Sequence, residues 1–137
     1  MSNENEKKKY KYDKVEDFTD LEVWKLAHQV RLNVYKFTKL LSKEERYNRV
    51  EQMRRAGSSI ASNIAEGFGR YHYQENIQFC RQARGSLDEL RDNVIAAKDL
   101  NQAPASECEK LWHLLIQCRR LLNGYIRYLK NQKARNP

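Results

Sequence analysis

The chain has 137 residues, 40% of them hydrophobic and 32% charged, with a formal net charge of +8 at pH 7. That length suits one domain with its own core, and its short apolar runs fall far below the roughly 20 residues that a membrane span needs. The basic balance points either to an anionic partner or to a plain solvated surface, and charge alone does not choose between them. Nothing apolar follows Met1, so secretion is unsupported and a cytoplasmic protein is expected. Cys80, Cys108 and Cys118 form no CxxC pair, which predicts free thiols packed as small hydrophobes.

Residues 1–16 are polar, with Lys7, Lys8, Lys9, Lys11 and Lys14 close together. They read as a flexible basic arm that either tracks phosphates or solubilises the chain. The bundle proper is expected over 17–131, followed by a short basic tail over 132–137.

Helix one is predicted from Phe18 to Leu41. Val23, Leu26, Ala27, Val30, Val34, Phe37 and Leu41 fall at helical spacings of three and four, and Asp17, Thr19 and Asp20 offer cap oxygens. Ser42 followed by Glu45 has the pattern of a capping box opening helix two. That helix carries Val50, Met53, Ala56, Ile60, Ile64 and Phe68 inward, and Gly67 and Gly69 mark its end. It is also rich in small residues, from Ala56 and Gly57 to Ala65. Because a helical glycine costs about 1 kcal/mol relative to alanine, this composition predicts a closely approaching neighbour.

Helix three is predicted from Tyr73 to about Leu100, on the stripe Ile77, Cys80, Ala83, Leu87, Leu90, Val94 and Ala97, with Gly85 expected at a close packing contact. Asn101 to Ala105, with Pro104, reads as a turn, and Ser106 with Glu109 as a second capping box. Helix four repeats Cys108, Leu111, Leu115, Cys118, Leu122, Tyr125 and Leu129, an alternation suited to a bundle. Strand signals are absent. The prediction is an all-α, antiparallel up-down-up-down four-helix bundle. Surplus apolar residues, Trp24 and Tyr35 on helix one and Trp112, Leu114, Ile116, Leu121, Ile126 and Tyr128 on helix four, need either a wide core or an oligomer interface.

Four blocks carry a family resemblance: FTDLEVW at Phe18 to Trp24, QMRRA at Gln52 to Ala56, SIASNIAEGFGR at Ser59 to Arg70 and ARGSLDEL at Ala83 to Leu90. With these blocks the chain resembles the 23S rRNA intervening-sequence protein family, four-helix-bundle proteins encoded within bacterial large-subunit rRNA genes. A more distant likeness in fold is to the accessory protein of diversity-generating retroelements. The resemblance implies a ring-shaped homo-oligomer, a pentamer, in a family whose molecular function is poorly defined.

Two groups of polar residues stand out. Arg54, Arg55, Asn63, Glu66 and Arg70 on helix two, with Arg84 and Glu89 on helix three, lie within the family blocks. Asn63, Glu66 and Arg70 share a face by spacing. One reading is a structural network with Arg55 and Arg84 against Glu66 and Glu89. The other is a pocket whose arginines hold phosphate or a partner carboxylate. The second group, Arg46, Arg49, Arg119, Arg120, Arg127, Lys130 and Lys133, loads the start of helix two and the end of helix four, and is the candidate nucleic-acid-binding set. Tyr125 and Tyr128 interleave with it, for base stacking or for packing.

Catalysis finds no constellation. His28, His72 and His113 stand apart from any carboxylate or cysteine at motif spacing, and neither metal-ligand spacing nor a phosphate loop is present. No catalytic residues, metal or cofactor are therefore expected. The expected function is a non-enzymatic oligomer that binds RNA or a ribonucleoprotein through its basic surface. The alternative is a protein–protein adaptor or structural module.

Overall fold

The structure, a computed structural model, describes residues 12–136, apart from the side chain of Arg46. It is all-α, with four long helices and no strand among the described residues. They are α1 (Glu22–Thr38), α2 (Glu51–Phe68), α3 (Tyr73–Asp99) and α4 (Ala105–Arg135). A 3-10 turn, Phe18–Asp20, precedes α1, and a 3-10 turn Lys43–Glu45 and a π-helical turn Arg46–Val50 lead into α2.

The helical stripes read from the sequence converge on one core. Ala27, Val30 and Val34 of α1, Met53, Ile60 and Ile64 of α2, Ile77, Leu87 and Leu90 of α3, and Leu115, Cys118 and Leu122 of α4 are all buried. Cys80, Cys108 and Cys118 are free and buried. Burial in apolar surroundings disfavours a thiolate, and it pushes Cys80 and Cys118 up to about 12. Of the extra apolar residues of α4, Ile126 is buried and Trp112, Leu114, Leu121 and Tyr128 pack at the edge of the same core. Trp24 lies edge-on to Phe18 and stacks on His28, at ring distances of 5.1 and 5.3 Å.

Element ends depart from the sequence reading in instructive ways. The Asp17 side chain caps Phe18 N–H, and Asp20 Oδ2 accepts from the N–H groups of Glu16 and Asp17, each at 3.1 Å. These two backbone donors hold the Asp20 carboxyl below its ordinary range. The box thus closes the 3-10 turn, and α1 itself begins at Glu22. It ends at Thr38, short of Leu41, as Leu40 and Leu41 N–H groups bond three residues back and tighten the chain.

Neither predicted capping box at α2 or α4 forms. The Glu45 carboxylate turns away to accept from Gln102 at 2.8 Å. α4 starts after Pro104 with no side-chain cap; the Pro104 carbonyl accepts from Glu107 and Cys108 N–H. Gly69 closes α2 in right-handed geometry, so it is not a left-handed cap. Gly85 is exposed, with nothing within 4 Å of where a Cβ would stand, so it makes no close contact with α2. At the end of α3, Asn101 takes φ 55°. Asn101 N–H bonds to Lys98 O and Gln102 N–H to Ala97 O, which is a Schellman motif with asparagine in the left-handed position.

Of the segment read as a basic arm, Lys7, Lys8, Lys9 and Lys11 lie outside the described residues. Tyr12 and Val15 pack against the bundle; the Tyr12 ring stacks on Tyr128 at 4.0 Å.

Candidate nucleic-acid interface

From residue 110 to residue 137 the sequence holds seven lysines and arginines and no aspartate or glutamate. The buried stripe of α4 decides which way they face. Arg120 and Arg127 are two turns apart and therefore share a face. With Lys130, Lys133 and Arg135 they are exposed. Lys133 Nζ donates to Gln74 Oε1 at 2.6 Å, a neutral partner that leaves its charge uncompensated.

Arg119 is one residue off that face and turns inward. Its Nε donates to Asp88 Oδ1 of α3 at 3.0 Å, and Arg91 donates to the same oxygen at 3.0 Å. Arg91 in turn lies over the Trp112 ring at 4.9 Å. Partial burial pushes the Asp88 carboxyl up, but the two guanidinium bonds outweigh it and the net displacement is downward. Arg119 is thus engaged within the chain.

Arg49 is engaged as well. It donates through Nη1 to Asn93 Oδ1 at 2.8 Å and through Nε to Gln102 Oε1. Gln102, positioned by the Schellman turn, reaches Glu45. This cluster pins the entry of α2 to the end of α3. Asn93, buried on the α3 stripe, is a polar residue at a core register, and that spacing is a signal from which the cluster was legible. The Arg46 side chain lies outside the described residues. Tyr125 is buried and Tyr128 half-buried, so both tyrosines are packing residues whose phenols burial pushes up.

The family-block residues separate and do not meet in one network. The predicted pairing of Arg55 and Arg84 with Glu66 and Glu89 does not form. Instead Ser59 and Ser86 hydroxyls meet between α2 and α3 at 2.9 Å, and Asn63 Nδ2 donates to both the hydroxyl and the carbonyl of Ser59. Small polar side chains hold this crossing because longer ones would part the helices. Arg84 extends to α4 and donates to Asn123 Oδ1 at 3.0 Å. Glu66 and Arg70 form an exposed ion pair at 3.0 Å, and the Arg70 guanidinium lies over Phe79. Glu89 contributes its backbone carbonyl, accepting from Asn93. Arg54 donates to Thr38 Oγ1 across the α1–α2 interface at 2.9 Å, and Arg55 is exposed beside it.

No group of three or more histidine, cysteine, aspartate or glutamate side chains that could hold a metal ion occurs among the described residues. No helix among them is long and apolar enough to cross a membrane.

The family model of the 23S rRNA-intervening sequence protein matches residues 19–124, most of the bundle. The chain belongs to this family. Its fold is similar to that of a solved protein of unknown function from the S23 ribosomal protein family of Bacteroides thetaiotaomicron. The TM-score is 0.71 at 18% identity, and the match covers 76% of this chain and 97% of that one. No curated relative matches the sequence. The family match ends at residue 124, ahead of Arg127, Lys130 and Lys133.

Proposed function

We propose that this intervening-sequence family member is a non-enzymatic, cytoplasmic helical-bundle protein that binds RNA or a ribonucleoprotein through the outer face of α4. The observation that carries this reading is the run of seven cations without an acidic residue after Glu109. Of these, Lys110 pairs with Glu107 and Arg119 with Asp88; the other five form no ion pair among the described residues. A row of unpaired cations along a rigid helix suits a phosphate backbone, and its binding is driven by counterion release.

RNA affinity measured across a salt series tests it. Changing Arg120, Arg127 and Lys130 together to glutamine should weaken binding and lower the salt slope by roughly two for single-stranded RNA. Binding equal to wild type in that triple variant defeats the reading.

The same proposal includes an antiparallel up-down-up-down order and assembly into a ring of five. Leu21, Phe68, Tyr73 and Tyr125 line one cavity, while Glu45, Arg49, Asn93 and Gln102 meet in one cluster; both support the order. The ring rests on the family likeness. A second reading, a protein–protein module, is favoured by Leu32 and Leu40, 43% and 48% exposed on and just after α1. Light scattering separates them: a monomer defeats the ring, and binding of protein without RNA favours the module.

A further inference from the structure

A cleft of about 820 Å³ opens between the end of α1 and the first turns of α2. Four cations line it, Lys39, Lys43, Arg54 and Arg55, against the single carboxylate of Glu51. Its volume lies within the range of small-ligand sites.

Arg54 is held ready in this cleft. The Thr38 hydroxyl donates to the Tyr35 carbonyl at 3.0 Å, so its lone pairs face outward to accept from Arg54 Nε at 2.9 Å. Thr38 is 2% exposed, and the guanidinium plane also rests over the Tyr35 ring at 4.7 Å. One of five donors is used; the two terminal nitrogens have no partner among the described residues. Arg55 is adjacent and has no partner among them either, and Ser58, one turn beyond Arg54, lines the same cleft. A preset guanidinium fork beside a second arginine and a hydroxyl is suited to phosphate oxygens. At the rim stands Tyr47, 84% exposed, a ring free to stack on a planar base.

We propose that this cleft binds a nucleotide, with its phosphate on Arg54 and Arg55 and its base on Tyr47. Thr38 is a positioning residue that acts through Arg54. The site shares no residue with the α4 face and does not rest on the RNA reading given to that face. Two sources offer this chemistry: a free mononucleotide and the terminal nucleotide of an RNA strand.

Equilibrium binding to the full chain, with adenosine monophosphate, inorganic phosphate and a 5′-phosphorylated oligoadenylate as probes, tests the assignment. Adenosine monophosphate should saturate a site and bind more tightly than inorganic phosphate. Arg55→Gln, an exposed change that leaves the core untouched, should weaken both by roughly tenfold or more. Tyr47→Ala should weaken the mononucleotide and leave inorganic phosphate unchanged. Thr38→Val should weaken binding while Thr38→Ser retains it, a split that loss of packing alone does not produce. The triple α4 variant should bind adenosine monophosphate as wild type does. If only the oligonucleotide binds, and Arg55→Gln abolishes that binding, the RNA end is the source. Absence of saturable binding of every probe, or binding indifferent to both Arg55→Gln and Tyr47→Ala, overturns the site. Inorganic phosphate binding as tightly as the mononucleotide overturns the nucleotide assignment.

Discussion

Gly67 of α2 meets Asn76 of α3 so closely that a Cβ on the glycine would stand 2.6 Å from the asparagine Oδ1 and 2.9 Å from Phe79 Cβ. Gly67 is therefore where two helices most need the absence of a side chain. At Gly57 the nearest atoms, all of the Val34 side chain on α1, lie at 3.4 Å.

A series of glycine-to-alanine changes should order accordingly. Gly85→Ala gains helix propensity with no clash and should stabilise by about 0.5–1 kcal/mol. Gly57→Ala should fall near neutral, the propensity gain offsetting a tight contact. Gly67→Ala should destabilise by roughly 1–3 kcal/mol, as overpacking exceeds the propensity gain. Gly57→Leu should cost more than Gly57→Ala, since Val34 leaves no room. Denaturant unfolding measures all four, and equal effects at Gly67 and Gly85 would contradict the geometry.

The buried Asn76 amide joins α3 to α4: Nδ2 donates to the Tyr125 hydroxyl of α4 at 3.2 Å, and Oδ1 accepts from the Cys80 thiol one turn on in α3. Tyr125→Phe leaves that donor unsatisfied and should cost about 1–3 kcal/mol. Tyr128→Phe, at a half-buried ring, should cost less. Unfolding midpoints of the two variants provide the comparison.

Asp88 links acid stability to the α3–α4 interface. Its folded value lies below the ordinary 3.8, so the bridges to Arg119 and Arg91 are present above that pH and are lost as pH falls through the lower folded value. The group is partly exposed, and solvent screening keeps the contribution at or under about 1 kcal/mol. Asp88→Asn should therefore destabilise modestly at pH 7, and its difference from wild type should shrink as pH falls below the ordinary 3.8 and vanish once the folded carboxyl is protonated. A difference that persists unchanged through the acid range would remove the ionic origin.

The three thiols should resist alkylation in the folded protein. With Cys80 and Cys118 at about 12, almost no thiolate exists at pH 8, and burial blocks the reagent. Labelling should follow global unfolding, so a denaturant titration read by thiol labelling and by circular dichroism should give one midpoint. Rapid labelling of Cys118 under native conditions would show that α4 opens independently.

Periodicity by itself determined the four helices, the buried stripes and the packed thiols, because apolar spacing along one helix is a local property. The bare cationic run of α4 is equally local, and so were Arg120 and Arg127 as members of the candidate interface. The tertiary structure decided which cations stay available. Arg119 and Arg120 are neighbours in sequence, yet a rotation of about 100° per residue sends the first to Asp88 and the second to solvent. Arg49 reads as part of a basic surface until the Schellman turn at Asn101 brings Gln102 against it. Arg84 finds Asn123, 39 residues away, in place of a carboxylate on α2. Likewise Gly67 and Gly85 look alike in sequence, and only the crossing of α3 over α2 makes one indispensable and the other free. Partners across helices depend on crossing angle and axial rotation, which are set by the packing of the whole core and by no single segment of the chain.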